Sequence, residues 1–397
     1  MRRAEPQDPG QLGLWLVVPC YRVTSHILEV LAEVPAWVEG VVCVDDACPQ
    51  GSGQLILERA DDPRLHVLTL PENRGVGGAV LAGYREALQR GARIIVKVDG
   101  DGQMDLGQIA RLVAPILLGQ ADYTKGNRFT QTRHLASMPL PRLIGNTMLS
   151  FAAKLATGYW NTFDPTNGFT AIEATVARQV LEQPVAQGFF FETDMLCHLG
   201  ALRAVVRDVP IPARYGEEQS NLRIGAVLRP FTAGLLRNTC RRLLRQYLVR
   251  DFPIATLEFL AGAALLGAGV VYGLAQQGAD PLGGAASPGI VMAAALPILI
   301  GVQLLLQALH HDTRSMPTEP IHPTLRAMEA IEERLRRSDV RSVTGETADA
   351  QATGGAPNGE DLPHGFRAGA GVDQPYLSTA AARSALHAER SVSQSSS

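Results

Sequence analysis

Residues 96–103 of this 397-residue chain read Val-Lys-Val-Asp-Gly-Asp-Gly-Gln. Asp99 and Asp101 stand two apart where an apolar run, 94–98, ends. Side chains at i and i+2 of an extended segment point the same way. Gly100 and Gly102 let the backbone turn tightly around them. The expected product is a compact patch of oxygen donors at the carboxyl end of a strand, where open α/β sheets bind ligands. Carboxylate and amide oxygens suit a hard divalent cation, Mg or Mn. Such a cation can hold a diphosphate and neutralise charge on a phosphate leaving group. An isolated Asp-x-Asp is as compatible with a solvated acidic turn, so the surrounding segments must decide.

Those segments alternate short apolar runs with amphipathic ones. Strands are expected at 14–19, 41–45, 65–70 and 92–98, and helices at 25–33, 51–60 and 75–90. Continuous apolar strands separated by amphipathic helices imply an α/β domain, its mostly parallel sheet covered on both faces. Residues 105–235 continue with mixed helices and short strands, including 204–211. Pro19 and Tyr21 follow the first strand, Asp45 and Asp46 close the second, and Asn73 to Gly75 follow the third. All lie at carboxyl ends and should face one crevice with Asp99 and Asp101.

The formal net charge of -3 points to no nucleic-acid partner. The five cysteines form no Cys-x-x-Cys pair, so neither a zinc site nor a disulfide frame is expected. Residues 1–11 read as an N-terminal extension without the apolar core of a secretory signal. Residues 235–252 interleave arginine with leucine at helical spacing, the pattern of a basic interfacial helix. Residues 253–312 then carry two apolar runs, about 254–275 and 289–309. Twenty-one residues at ~1.5 Å each span ~30 Å, the thickness of a bilayer core. Gly269 and Gly273 stand at Gly-x-x-x-Gly spacing. The loop between the runs has no Lys or Arg, while arginines crowd the segment before them. The positive-inside rule makes this a multi-pass protein of the inner membrane with its large domain and tail cytoplasmic. A charged helix is expected near 319–337, within a polar tail, 313–397, that reads as disordered from residue 338.

Together these motifs resemble the family 2 glycosyltransferases of GT-A fold, and among them the dolichol-phosphate mannosyltransferase-like, polyprenyl-phosphate hexose synthase group. The resemblance covers about residues 12–312, with the GT-A domain at 12–234. It implies a mixed, mostly parallel sheet with helices on both faces, followed by an interfacial helix and a two-helix membrane hairpin. Pro19 and Tyr21 match the family's Pro-x-Tyr, and Asp45 and Asp46 its paired aspartates, one of which is expected on the nucleotide. Asn73 to Gly75 match Asn-x-Gly, and Asp99, Asp101 and Gln103 match the expected metal ligands of Asp-x-Asp-x-Gln. Gly126 to Arg128 match Gly-Ser-Arg with Asn127 replacing Ser, Arg142 and Asn146 match Arg-x-x-x-Asn, and residues 164–169 match Asp-x-x-x-Gly-Phe. There are departures. Arg22 and Val23 stand where Asn-Glu is frequent, and the late phosphate-binding segment keeps Ser220 and Leu222 but has Asn221 for Lys, with Arg223 as a substitute cation.

The resemblance implies a membrane-bound enzyme that moves a hexose from a UDP- or GDP-sugar to a polyprenyl phosphate with inversion, using Mg or Mn. Arg128 and Arg142 are the candidate phosphate cations, since guanidinium presents a fork matched to phosphate. Asp164 is the candidate base or orienting carboxylate, with Glu192 and Asp194 as rivals. Asn73 and Gly75 could equally cap the following helix. Another lipid or envelope-glycan acceptor and a non-catalytic membrane scaffold are the competing readings. No Gln-x-x-Arg-Trp motif of processive relatives is present. The hairpin is a candidate for homo-oligomerisation.

Overall fold

A computed structural model describes residues 12–128, 140–211, 224–250, 252–279 and 287–335. The chain divides at Arg334 into two units, and only Leu335 of the second is described.

The first unit is built on a seven-stranded sheet of order β3-β2-β1-β4-β6-β5-β7. The strands are β1 (Leu14–Cys20), β2 (Gly40–Asp45), β3 (Leu65–Thr69), β4 (Ile94–Lys97), β5 (Tyr123–Asn127), β6 (Thr170–Glu173) and β7 (Val206–Pro210). β6 runs antiparallel to both its neighbours, β4 and β5, and every other pair is parallel. The mixed, mostly parallel sheet is the expected GT-A architecture.

β1 is apolar along nearly its whole length because both of its faces are covered. Trp15 and Val17 enter one core with α3 (Gly75–Gln89), α6 (Ala174–Leu181) and α7 (Phe191–Leu202). Leu14, Leu16 and Val18 enter the other with α1 (Ile27–Ala32) and α4 (Ile109–Leu117), where Ile56 of α2 (Ser52–Arg59) is also buried. That split is the two-residue period of a strand. The chain winds outward from β1 through β2 to β3, then returns to place β4 on the other side of β1. The carboxyl ends of β1 and β4 therefore flank the point where strand order reverses, the usual crevice of such sheets.

α5 (Leu140–Thr157) packs on α8 (Ile224–Leu243) through Ala153, Ala156 and Leu235. The helix expected to begin at residue 235 thus begins at Ile224 and continues as a π-helical segment, Leu244–Arg250. Its first half is held by α5 and by Phe190 against Phe231, contacts that local pattern does not reveal.

α9 (Ile254–Ala279) and α10 (Pro288–Arg314) form an antiparallel hairpin longer than the expected runs. Ser287 caps α10 by accepting from the Ile290 amide, and Pro288 follows at the first helical position, where its missing N–H costs nothing. The helices touch closely where small residues meet. A side chain at Gly262 would lie 2.9 Å from the Gly301 carbonyl, and one at Gly269 would lie 2.8 Å from that of Ala294. Gly273 is looser, 3.5 Å from Ala294 Cβ, so of the Gly269–Gly273 pair only Gly269 makes the expected close approach, and Gly262 with Gly301 adds a second one. The apolar windows have mean hydropathies of 1.9 and 2.3, yet only 22% and 6% of them are buried. A core helix would hide that surface; these expose it.

The tail does not leave the domain after residue 312 as expected. Asp312 accepts from Trp160 Nε1 (2.8 Å) and Tyr247 Oη (2.6 Å), and pairs with Arg242. The chain then returns to the sheet, and residues 322–335 form α11. Asp122, wholly buried, accepts from the amides of Val205, Ile321 and His322 and sits 2.8 Å from His322 Nδ1. Arg326 pairs with buried Glu173. Buried carboxylates demand partners, and the tail supplies them. Residues 336–397 lie outside the described residues.

Candidate active site

The turn after β4 is shaped by its own side chains. Gln103 N–H donates to Asp101 Oδ1 (3.1 Å), and Gly102 between them takes φ +76°, a conformation that costs glycine little. Asp99 is held from behind. Lys97, 1% exposed, donates to Asp99 Oδ1 (2.7 Å) and to Glu192 Oε1 (3.2 Å) at the start of α7. Burial by itself would push the Lys97 ammonium down, but the two carboxylates outweigh it and hold it above the usual lysine range. Gly168 makes this packing possible: a β-carbon there would fall 2.5 Å from Asp99 Oδ2 and against Lys97 Nζ.

The neighbouring loops are fastened by carboxylates and amides. Asp45 gives one oxygen to the Cys48 amide (2.7 Å) and the other to the Gly53 amide (2.6 Å). Both oxygens are thus spent on the turn into α2, which argues against Asp45 as the nucleotide contact. Asp46 holds the Arg74 amide through Oδ1 (2.7 Å), and among the described residues its other oxygen accepts nothing. Asn73 Oδ1 accepts from the Gly75 amide (3.1 Å), and Gly75, at φ +75°, opens α3. Asn73 thus forms a local turn ahead of Arg74, the N-cap of α3, whose own side chain makes no capping bond. Pro19 lies in β1 opposite Val44, and Tyr21 is exposed with the Arg22 guanidinium 5.3 Å from its ring centre.

Across the crevice, Arg128 grips Asp164 through two bonds, Nε to Oδ2 (2.9 Å) and Nη2 to Oδ1 (3.3 Å). Asp164 is buried while Arg128 is 41% exposed. A carboxylate clamped in this bidentate way favours the orienting role over the base. Of the rivals, Glu192 faces Lys97, whereas Asp194 accepts from the Ala186 amide and Asn238 Nδ2 in the contact between α7 and α8. Asn127, in the position of the family's Ser, donates to Asp208 (2.9 Å). Arg142 lies in α5, but its side chain is outside the described residues, as is Asn146's; Ser220, Asn221, Leu222 and Arg223 lie outside them altogether.

Two buried lysines escaped the sequence reading. Lys97 is one. Lys125 in β5 is the other, its Nζ 4.0 Å from Asp208 Oδ1 with neither atom hydrogen-bonded. Burial pushes the Lys125 ammonium down, against the pull of Asp208 and Asp164. Burial likewise raises Asp208, against the pull of Lys125. Part of the signal was there: the chain has three lysines among its 36 basic residues, and one of them, Lys97, stands in an expected strand.

Among the described residues no three His, Cys, Asp or Glu side chains cluster to hold a metal alone. A hard cation delivered with a diphosphate needs only one or two protein carboxylates, the phosphates supplying other oxygens. Asp101, the Asp99 oxygen not taken by Lys97, and the Gln103 amide oxygen are donors of the right chemistry for that arrangement.

Comparison with known proteins agrees with the architecture. The profile described as Glycosyl transferase family 2 matches residues 15–181. An undecaprenyl-phosphate mannosyltransferase from Micrococcus luteus is 32% identical over 199 residues, 49% of this chain and 81% of that protein. A UDP-N-acetylglucosamine–dolichyl-phosphate N-acetylglucosaminyltransferase from Methanococcus voltae is 26% identical over 51% of this chain and 86% of its own. A polyprenol monophosphomannose synthase from Mycolicibacterium smegmatis is 29% identical over 45% and 69%. The chain is a glycosyltransferase of family 2.

Proposed function

We propose that this enzyme transfers a hexose from a nucleoside diphosphate sugar to a polyprenyl phosphate at a membrane surface. The observation that carries the reading is the convergence of the Asp99–Asp101 turn, the Asp46 loop and the Arg128–Asp164 pair on the carboxyl side of the sheet, in a chain that continues into an exposed apolar hairpin. The named relatives act on dolichyl or undecaprenyl phosphates, which supports the acceptor class.

Tyr21 and the open oxygen of Asp46 are suited to the nucleoside, while Asp45, Asn73 and Gly75 keep its loops in shape. Asp99, Asp101 and Gln103 would hold a divalent cation, which when bound would supply neutralisation of the charge on a nucleoside diphosphate leaving group. Lys97 offsets the charge of Asp99 and Glu192, so the diphosphate meets less repulsion. Arg128, aimed by Asp164, presents a fixed guanidinium face to a phosphate, and Arg142 is its proposed companion. The acceptor phosphate is anionic near neutral pH, so it needs positioning more than deprotonation. Its oxygen attacks the anomeric carbon as the nucleoside diphosphate leaves from the opposite face, and configuration inverts. The hairpin anchors the domain where the lipid phosphate emerges, with the 12–234 domain, the basic helix and the tail on the arginine-rich, cytoplasmic side.

The test uses membranes carrying the full-length protein, polyprenyl phosphate, Mg or Mn, and labelled UDP- and GDP-hexoses. Metal-dependent passage of label into the organic phase, absent in Asp101→Asn, is the expected result. Donor binding without any lipid product would redirect the acceptor to another lipid or glycan. Absence of nucleotide binding would refute the site.

A further inference from the structure

Along α7, from Asp194 to its C-cap Arg203, a cleft of about 560 Å³ opens between α7 and the run formed by α8 and the π-helical segment. Eight residues separate Glu192 from Gly200 in its wall, ~12 Å along a helix axis. The cleft is lined by Arg203, Arg241, Arg242, Arg245 and Arg250, with His198 beside them. Arg242 is engaged, donating to the Leu155 carbonyl and to Asp312. Among the described residues the other four arginines make no ion pair and no side-chain hydrogen bond. The one carboxylate in the wall, Asp194, is used by Ala186, Asn238 and His198. Among the described residues the cleft is therefore strongly cationic and uncompensated.

Two further observations say what fills it. Arg203 closes α7 at φ +59°, a left-handed position that favours glycine or asparagine and penalises arginine. An arginine kept there puts a guanidinium at the cleft instead of relaxing the backbone. The same segment also carries exposed Leu244, Leu248 and Val249, followed by Phe252 and Ile254 at the start of the apolar hairpin. Cations that face a cleft on one side and adjoin exposed apolar side chains on the other match an amphiphile with an anionic head.

We propose that this cleft is a binding site for the phosphate headgroup of an anionic phospholipid, separate from the acceptor phosphate's place at the Asp99–Asp101 crevice. The arginine forks take the phosphodiester oxygens while the acyl chains lie along Leu248, Val249 and Phe252. A lipid seated there fixes the catalytic domain's angle to the bilayer. The proposal rests on the membrane reading of the hairpin and goes beyond the transfer reaction.

The experiment takes the full-length protein and Arg241→Gln/Arg245→Gln, first washing membranes with alkaline carbonate, then reconstituting into phosphatidylcholine nanodiscs. Short-chain phosphatidylglycerol is titrated and bound lipid counted by native mass spectrometry, with inorganic phosphate as competitor. The expected result is a carbonate-resistant wild type that retains phosphatidylglycerol, at least tenfold weaker retention in the variant, and equal binding by both of the nucleoside diphosphate, UDP or GDP, that the wild type takes. Equal retention by the two proteins overturns the site. Displacement by inorganic phosphate at the same concentration as the lipid overturns the lipid as its occupant. Release of the wild type by carbonate overturns the membrane reading together with the proposal, which separates the two failures.

Discussion

Lys97→Met tests how the metal-side carboxylates are held. The substitution removes the ammonium that sits 2.7 Å from Asp99 and 3.2 Å from Glu192 and leaves a side chain of similar length. Removing one partner of a buried ion pair costs about 3–5 kcal/mol. Asp99 is 31% exposed and Glu192 13%, so water reaches both in part, and the lower end, about 3 kcal/mol, applies. In a domain of this size each kcal/mol moves the midpoint about 2–4 °C, which gives a fall of about 6–12 °C. The wild-type lysine is raised above its unfolded value near 10.4, so its stabilisation is fully present below that pH and lost only above it. Between pH 5 and 8 the wild-type term is flat. In the variant the two carboxylates lose their common cation. Scanning fluorimetry of the full-length proteins in one detergent, at one scan rate, reads the shift. A variant within 2 °C of wild type at pH 8 would refute the reasoning.

Gly168→Ala places a methyl 2.5 Å from Asp99 Oδ2 and should weaken metal-dependent binding of whichever nucleoside diphosphate, UDP or GDP, the wild type binds, at least tenfold, while circular dichroism stays native; calorimetric titration measures it. Lys125→Met leaves buried Asp208 without the cation 4.0 Å from it and should destabilise the fold by about 3 kcal/mol, seen as a lowered midpoint, while sugar transfer falls through loss of the charge behind Asp164 and Asp208; an unchanged or raised midpoint would contradict this. Asp122→Ala strips three amides of their acceptor and should free the segment after Arg314 at a cost of about 2–3 kcal/mol, seen as faster tryptic cleavage at Arg326.

β1, β2 and β4 were legible because they are largely apolar runs buried on both faces, and a buried parallel strand advertises itself by composition. β1 to β4 fall within two residues of expectation at each end. The antiparallel insertion of β6 between β4 and β5 was not legible, since nothing in residues 170–173 specifies which strands they join. The same division runs through the site. Asp99, Asp101 and Gln103 are recognisable because a tight turn confines them to four residues of one another. Asp45 and Asp46 look equivalent in sequence, yet one is spent on two backbone amides and the other keeps an oxygen open.

The sequence by itself determined the enzyme family, the order of the strands along the chain, the acidic turn and the apolar runs, all of which depend on residues near one another in the chain. Tertiary structure alone decided that Lys97 meets Glu192 across 95 positions, that Arg128 aims at Asp164, and that residues 321–326 return to satisfy Asp122 and Glu173. A buried charge must find a partner wherever the fold brings one, and spacing along the chain carries no record of which partner that is.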